Sequence, residues 1–103
     1  MIIHTVVFKI RHPKESAEEQ EFLRDGTALG KLPMVQNFHC FRQVSIKNNF
    51  EFGFSMEFAS QKEYDAYNQH PEHVRFVETR WKPEIEDFLE IDYVTYNPSR
   101  VEC

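Results

Sequence analysis

The segment Phe50-Glu51-Phe52-Gly53-Phe54-Ser55-Met56-Glu57-Phe58-Ala59 alternates a large apolar side chain with a small or charged one, five times over. Successive side chains of a strand point to opposite faces, so a period of two is the mark of a strand with one face buried. Phe50, Phe52, Phe54, Met56 and Phe58 then share the inner face, and Glu51, Gly53, Ser55, Glu57 and Ala59 the outer one. So bulky an inner face needs a second layer packed over it.

The rest of the chain supplies that layer. A β-branched run from about Ile2 to Ile10 predicts the first strand, with Ile2, His4, Val6, Phe8 and Ile10 on one face and Ile3, Thr5, Val7 and Lys9 on the other. Pro13 ends it. Ser16 and Glu19 fit a capping box at the start of a helix, whose stripe is Phe22, Gly26, Leu29 and Leu32 and whose end is Pro33. A second strand is expected over about 35–45, a turn at Lys47-Asn48-Asn49, and the alternating strand after it, so the two form a hairpin. Ser60 and Glu63 fit another capping box, and Pro71 breaks or restarts that helix at His70. Beyond it Val74, Val77, Trp81 and Ile85 keep helical spacing up to a kink or stop at Pro83, and a last strand is expected over about 88–96. The order βαββαβ is the ferredoxin-like arrangement of the α+β class, a four-stranded antiparallel sheet with both helices on one face. The other face is left bare. A second copy covering it, sheet against sheet, gives a dimeric α/β barrel.

Composition agrees with this assembly. The chain has 103 residues, enough for one domain, taken here as residues 1–97 with a short tail at 98–103. Ten phenylalanines are more bulk than one thin core needs, which points to a homodimer. The net charge of −5 and the scattering of Lys9, Arg11, Lys14, Arg24 and Lys31 argue against a nucleic-acid partner. Met1 to Lys9 is apolar but short, with no positive lead, so neither a signal peptide nor a membrane span is expected. Cys40 and Cys103, the second on the end of the chain and expected to be mobile, make no disulfide framework or CxxC metal motif. A cytoplasmic protein is the resulting expectation.

The chemistry-bearing segment is Tyr67-Asn68-Gln69-His70-Pro71-Glu72-His73. A phenol and an imidazole are the ordinary donor and acid/base groups near neutral pH, so Tyr67 and His73 are candidates to flank one pocket. His4 is a polar ring on an apolar strand face and needs a hydrogen-bond partner; Asp92, on a last strand expected beside the first, is the candidate. Each also has a structural use: Tyr67 as a packing ring, His70 as a helix cap through its ring N–H, and His4 with Asp92 as a buried pair that fixes register. His70 and His73, with His4, His39 and Asp92, are the residues from which a metal site would have to be built. No HExxH or Cys/His framework is present and Pro71 disturbs the helix, so no metal is expected. Glu51 and Glu57 could gather a hard cation at a dimer interface, although solvated charge is the commoner outcome. Three ungrouped glycines give no phosphate loop, and no serine or cysteine sits in a nucleophile pattern, so no cofactor is expected.

Five landmarks in order, Ile3-His4-Thr5-Val6-Val7-Phe8-Lys9, Leu32-Pro33, Phe58-Ala59-Ser60, Tyr67 with His70-Pro71-Glu72-His73, and Ile91-Asp92-Tyr93, resemble the stress-responsive dimeric α/β-barrel (Dabb) family across nearly the whole chain. The resemblance implies a ferredoxin-like subunit, a barrel made with a second copy, and a pocket between sheet and helices. The family includes plant stress proteins and a polyketide cyclase, olivetolic acid cyclase. In that enzyme a tyrosine and a histidine matching Tyr67 and His73 are the acid/base pair, and a histidine matching His4 lines the pocket. This chain departs from it at Phe52, where the cyclase has a histidine, and at Asp25, where it has a tyrosine, so polyketide cyclisation is not carried over.

Two functions follow. One is a cofactor-independent enzyme of cyclase, isomerase or lyase type, with His73 as base, Tyr67 as hydroxyl donor, His4 with Asp92 as a positioning pair, and Phe52, Phe54, His70 and Trp81 around the substrate. The other is a non-catalytic stress-responsive homodimer that binds a small molecule or serves only as structure.

Overall fold

The computed structural model of the chain describes residues 1–98. Cys103 and all of the expected tail except Pro98 lie outside the described residues. Strand β1 is Ile2–Ile10, helix α1 is Ala17–Ala28 with a 3₁₀ turn at Leu29–Lys31, β2 is Gln36–Arg42 and β3 is Phe52–Phe58. Helix α2 is Gln61–Gln69 and α3 is Pro71–Phe76, followed by a π-helical turn at Val77–Trp81, a last helical turn at Lys82–Glu84, and β4, Ile85–Tyr93. The strands lie in the order β2-β3-β1-β4, and every neighbouring pair is antiparallel. This is the ferredoxin-like arrangement, with β1 and β3 in the centre.

Register decides which side chains meet. Opposite β1, Val6 and Phe8 face Phe54 and Phe52 on β3 and Glu90 and Phe88 on β4. The face they share carries the core: Phe8, Phe22 and Phe58 are fully buried, and Val6, Ile10, Phe54, Met56, Tyr67 and Phe76 nearly so. Phe8 is its centre, with ring contacts to Phe22, Phe52, Phe54 and Trp81. Burial of each such ring contributes about 1.5–3 kcal/mol. Gly26 makes the close seating of α1 possible, because a Cβ there would stand 2.6 Å from the Phe54 ring.

The opposite face is open. Val7 faces Leu89, Thr5 faces Ile91, and Ile3 faces Tyr93, while Phe41 of β2 lies opposite Gly53. Phe41, Leu89, Ile91 and Tyr93 are all exposed on this single subunit. Among the described residues no helix is long and apolar enough to cross a membrane.

Several local expectations need correction. The second and third strands are shorter than expected, and β4 begins at Ile85 rather than near Phe88. Ile85 is therefore a strand residue, returned to the core face by an irregularity in pairing near Lys9 and Ile10. Val74 is exposed and Phe76 takes the buried place, since the π turn shifts the helical register. Each capping box is half formed or unformed. Ser16 Oγ accepts from Glu19 N, but the Glu19 carboxylate accepts from Glu15 N, and Glu15 sits in the left-handed region with φ 63°. Ser60 Oγ donates to the Glu63 carboxylate rather than capping a backbone N–H. Within the single subunit Glu51 accepts from Ile10 N and Glu57 from Asn37 Nδ2.

Candidate functional site

Where α3 and the π turn lift away from the sheet they leave a cavity of about 460 Å³ over β1, β3 and β4. Its sides are apolar: Val6, Leu29, Phe54, Met56, Phe76, Val77, Trp81, Ile85 and Phe88. Its polar groups are His4, Tyr67, His73, Lys82 and Glu90. A mostly apolar hollow with a few converging polar side chains is the usual form of a small-molecule site.

His4 is held from two directions. Its Nδ1 lies 2.6 Å from Asp92 Oδ1, because the strand register places the two residues opposite one another. Tyr64, reaching down from α2, donates its hydroxyl to Asp92 Oδ2 at 2.8 Å and lies 2.9 Å from the same His4 nitrogen. Burial, then the Asp92 hydrogen bond and charge, push the Tyr64 phenol above its ordinary value, so it stays protonated and donates. With the Nδ1 proton directed at a carboxylate, His4 presents Nε2, which lies 3.8 Å from Glu90 Oε2.

Tyr67 and His73 come together across the helix break, ring centroids 4.2 Å apart. Pro71 removes a helical N–H, so α2 stops, His70 turns the chain in extended conformation, and α3 starts afresh with His73 in its first turn. His73 Nδ1 is 3.4 Å from the Asn68 carbonyl, a long hydrogen bond that favours the proton on Nδ1 and leaves Nε2 as an acceptor. Burial lowers the His73 pKa, with His4 and His70 adding to that and the Asn68 carbonyl opposing it, so the ring is neutral near pH 7. Tyr67 is only 3% exposed as a residue and packs against Phe58; its hydroxyl has no hydrogen-bond partner among the described residues, and since none of their buried polar atoms is left unpaired, that hydroxyl opens to the cavity. Burial first and the Glu90 charge second raise its pKa, so it is a hydroxyl donor and not a phenolate.

The other candidates divide. Phe54 and Trp81 line the cavity. Phe52 does not: it is buried beside Phe8, with the Arg42 guanidinium over its ring. His70 belongs to a separate hollow on the far side of α3, with Asp25, Arg75 and Arg80. There its Nδ1 accepts from Glu72 N and caps α3, so it caps as an acceptor and not through a ring N–H. Asp25 is ion-paired with Arg80, outside the cavity. Tyr64 and Glu90 escaped the reading of the sequence. Their signals were present: Tyr64 precedes Tyr67 by one helical turn, and Glu90 precedes Asp92 by one strand period.

Comparison with known proteins agrees with this architecture. A dabb-family protein with a ferredoxin-like fold from Mesorhizobium loti is 52% identical, covers 93% of this chain and 97% of its own, and superposes with a TM-score of 0.91. An Arabidopsis thaliana protein at 24% identity gives 0.81, with 94% and 97% covered. A dimeric ferredoxin-like protein of unknown function from Thermobifida fusca, at 16% identity, gives 0.75 with 91% and 90% covered and shares the fold. No curated protein gives a significant match. The family model of the Stress responsive A/B Barrel Domain, Dabb, matches residues 2–95, and the chain belongs to that family.

Proposed function

We propose that this chain is a homodimeric small-molecule-binding protein that performs cofactor-independent proton transfer on a carbonyl compound. The observation that carries this is the Tyr67 hydroxyl, open to the cavity and without a partner among the described residues, beside a neutral His73 whose Nε2 is free to accept. A hydroxyl that faces the cavity with no intramolecular partner is available to a ligand oxygen, and such a hydrogen bond contributes about 0.5–1.5 kcal/mol. A carbonyl oxygen bonded by Tyr67 acidifies the carbon next to it. His73 Nε2 takes that proton, Tyr67 stabilises the enolate oxygen, and the proton returns from His73 to carbon. Asp92 and Tyr64 keep His4 in one orientation at the same end of the cavity.

Exchange of the α-protons of 4-ethylacetophenone in D₂O, followed by proton NMR, tests this without knowledge of the natural substrate. The wild-type chain is expected to accelerate exchange over buffer, with the gain abolished in His73→Gln and reduced about 10²-fold or more in Tyr67→Phe. Binding of the ketone with no exchange above buffer would transfer the assignment to the non-catalytic alternative.

A further inference from the structure

The charges around the polar end of the cavity are one-sided. Glu90 reaches it from β4, and Asp92 stands behind His4 on the same strand face. Among the described residues no lysine or arginine pairs with either of them. His4 stands between the two carboxylates, Nδ1 2.6 Å from Asp92 Oδ1 and Nε2 3.8 Å from Glu90 Oε2, so one imidazole faces both, and Lys82, the one lysine or arginine among the described residues that lines the cavity, is held by Glu78 at 2.7 Å. His73 is neutral near pH 7 for the reasons given above. The Tyr67 hydroxyl opens to the cavity with no partner among the described residues, and any hydrogen-bond acceptor serves it. Opposite that polar end lie Phe54, Phe76, Trp81 and Phe88, which ask for an aryl or alkyl body.

Building on the function proposed above, we propose that the cavity takes neutral aryl or alkyl ketones and aldehydes in preference to the matching carboxylates, and that Glu90 sets this preference. A ketone and a carboxylate of equal size offer Tyr67 the same acceptor geometry. They differ in that the carboxylate must leave water to face Glu90. Glu90 is 56% exposed, so water and salt screen part of that repulsion, and the resulting discrimination is on the order of tenfold.

Two matched pairs test this, 4-ethylacetophenone with 4-ethylbenzoate and 2-nonanone with octanoate. In each pair a methyl group replaces one carboxylate oxygen. Trp81 is the single tryptophan and lines the cavity, so its indole N–H signal reads occupancy of this site. The wild-type chain is expected to prefer each ketone by about tenfold, Glu90→Gln to reduce that preference below about threefold, and Glu90→Lys to reverse it. Glu90 is exposed on an edge strand, so neither variant removes a core contact. Equal binding of ketone and carboxylate by the wild type would overturn the role of Glu90 and leave the cavity as a ligand site. So would a preference unchanged in both variants. If no member of either pair moves the Trp81 signal, the ligand-site reading falls and this inference with it.

Discussion

Tyr64 and Tyr67 stand one turn apart on α2, and their hydroxyls are in opposite situations. That of Tyr64 bonds Asp92 and touches His4, while that of Tyr67 bonds nothing in the described chain. Tyr64→Phe is therefore expected to cost about 1–2 kcal/mol, since a hydrogen bond to a charged acceptor is lost and half-exposed Asp92 recovers part of it from water. Tyr67→Phe gives up no intramolecular bond and is expected to change stability by less than about 0.5 kcal/mol, while losing proton transfer. Urea denaturation of both variants checks the contrast; equal losses would mean that Tyr67 is bonded in the folded protein. His73 adds a pH dependence at the same scale. Its pKa is depressed by folding, so between that value and the ordinary one near 6.5 the unfolded chain binds the extra proton. Its contribution to stability is thus fully present above about pH 6.5 and lost as the pH falls through the folded value. The decline in urea midpoint between about pH 7.5 and 5.5 is expected to be shallower in His73→Gln.

At the scale of elements, α1 seats closely on β3 at Gly26, and Gly26→Ala probes that contact. Alanine gains about 1 kcal/mol of helix propensity over glycine. Against that, its Cβ would stand 2.6 Å from a Phe54 ring already packed between Phe8 and Phe38, and such overpacking costs about 1–3 kcal/mol. The expected net effect is a loss of about 1 kcal/mol, with Phe54 displaced toward the cavity it lines and ligand affinity reduced; a gain in stability would show that the ring gives way freely. The same element shows what could be read from sequence. The inner face of β3 was legible because burial on one side writes a period of two. His4, Tyr67 and His73 were legible because each interrupts an apolar pattern or flanks a proline. That Phe54 and not Phe52 borders the cavity was not, for both lie on one face and the choice depends on where α3 and Trp81 sit overhead. Nor was the start of β4, since Pro83 and the charged Glu84, Glu86 and Asp87 surround Ile85 and leave no alternation there, and its pairing with Ile10 comes from a register shift. The π turn has no local sequence signature, so the exchange of Val74 for Phe76 in the core was illegible as well.

For the whole molecule, the sheet's two faces answer different needs. One lies under the helices and holds the cavity. The other shows Val7, Phe41, Leu89, Ile91 and Tyr93 in one patch across β2, β1 and β4, with small residues Gly53 and Ser55 between them. An apolar sheet face of this kind is covered in stable proteins, and a second copy supplies a surface of the same shape. Leu89 is half-exposed and sits opposite Val7 on the central strand, so Leu89→Glu would place a carboxylate inside the proposed interface. A charge buried there without a partner costs several kcal/mol, enough to weaken association by about 10³-fold or more. Light scattering after size exclusion is expected to give a dimer for the wild type and a monomer for this variant at about 10 μM. The cavity opens on the other side of the sheet and is lined within one subunit, so the monomeric variant is still expected to shift the Trp81 signal with 4-ethylacetophenone. A variant that remained dimeric would move the interface off this face. A monomer that no longer bound the ketone would mean that the partner subunit completes or supports the site.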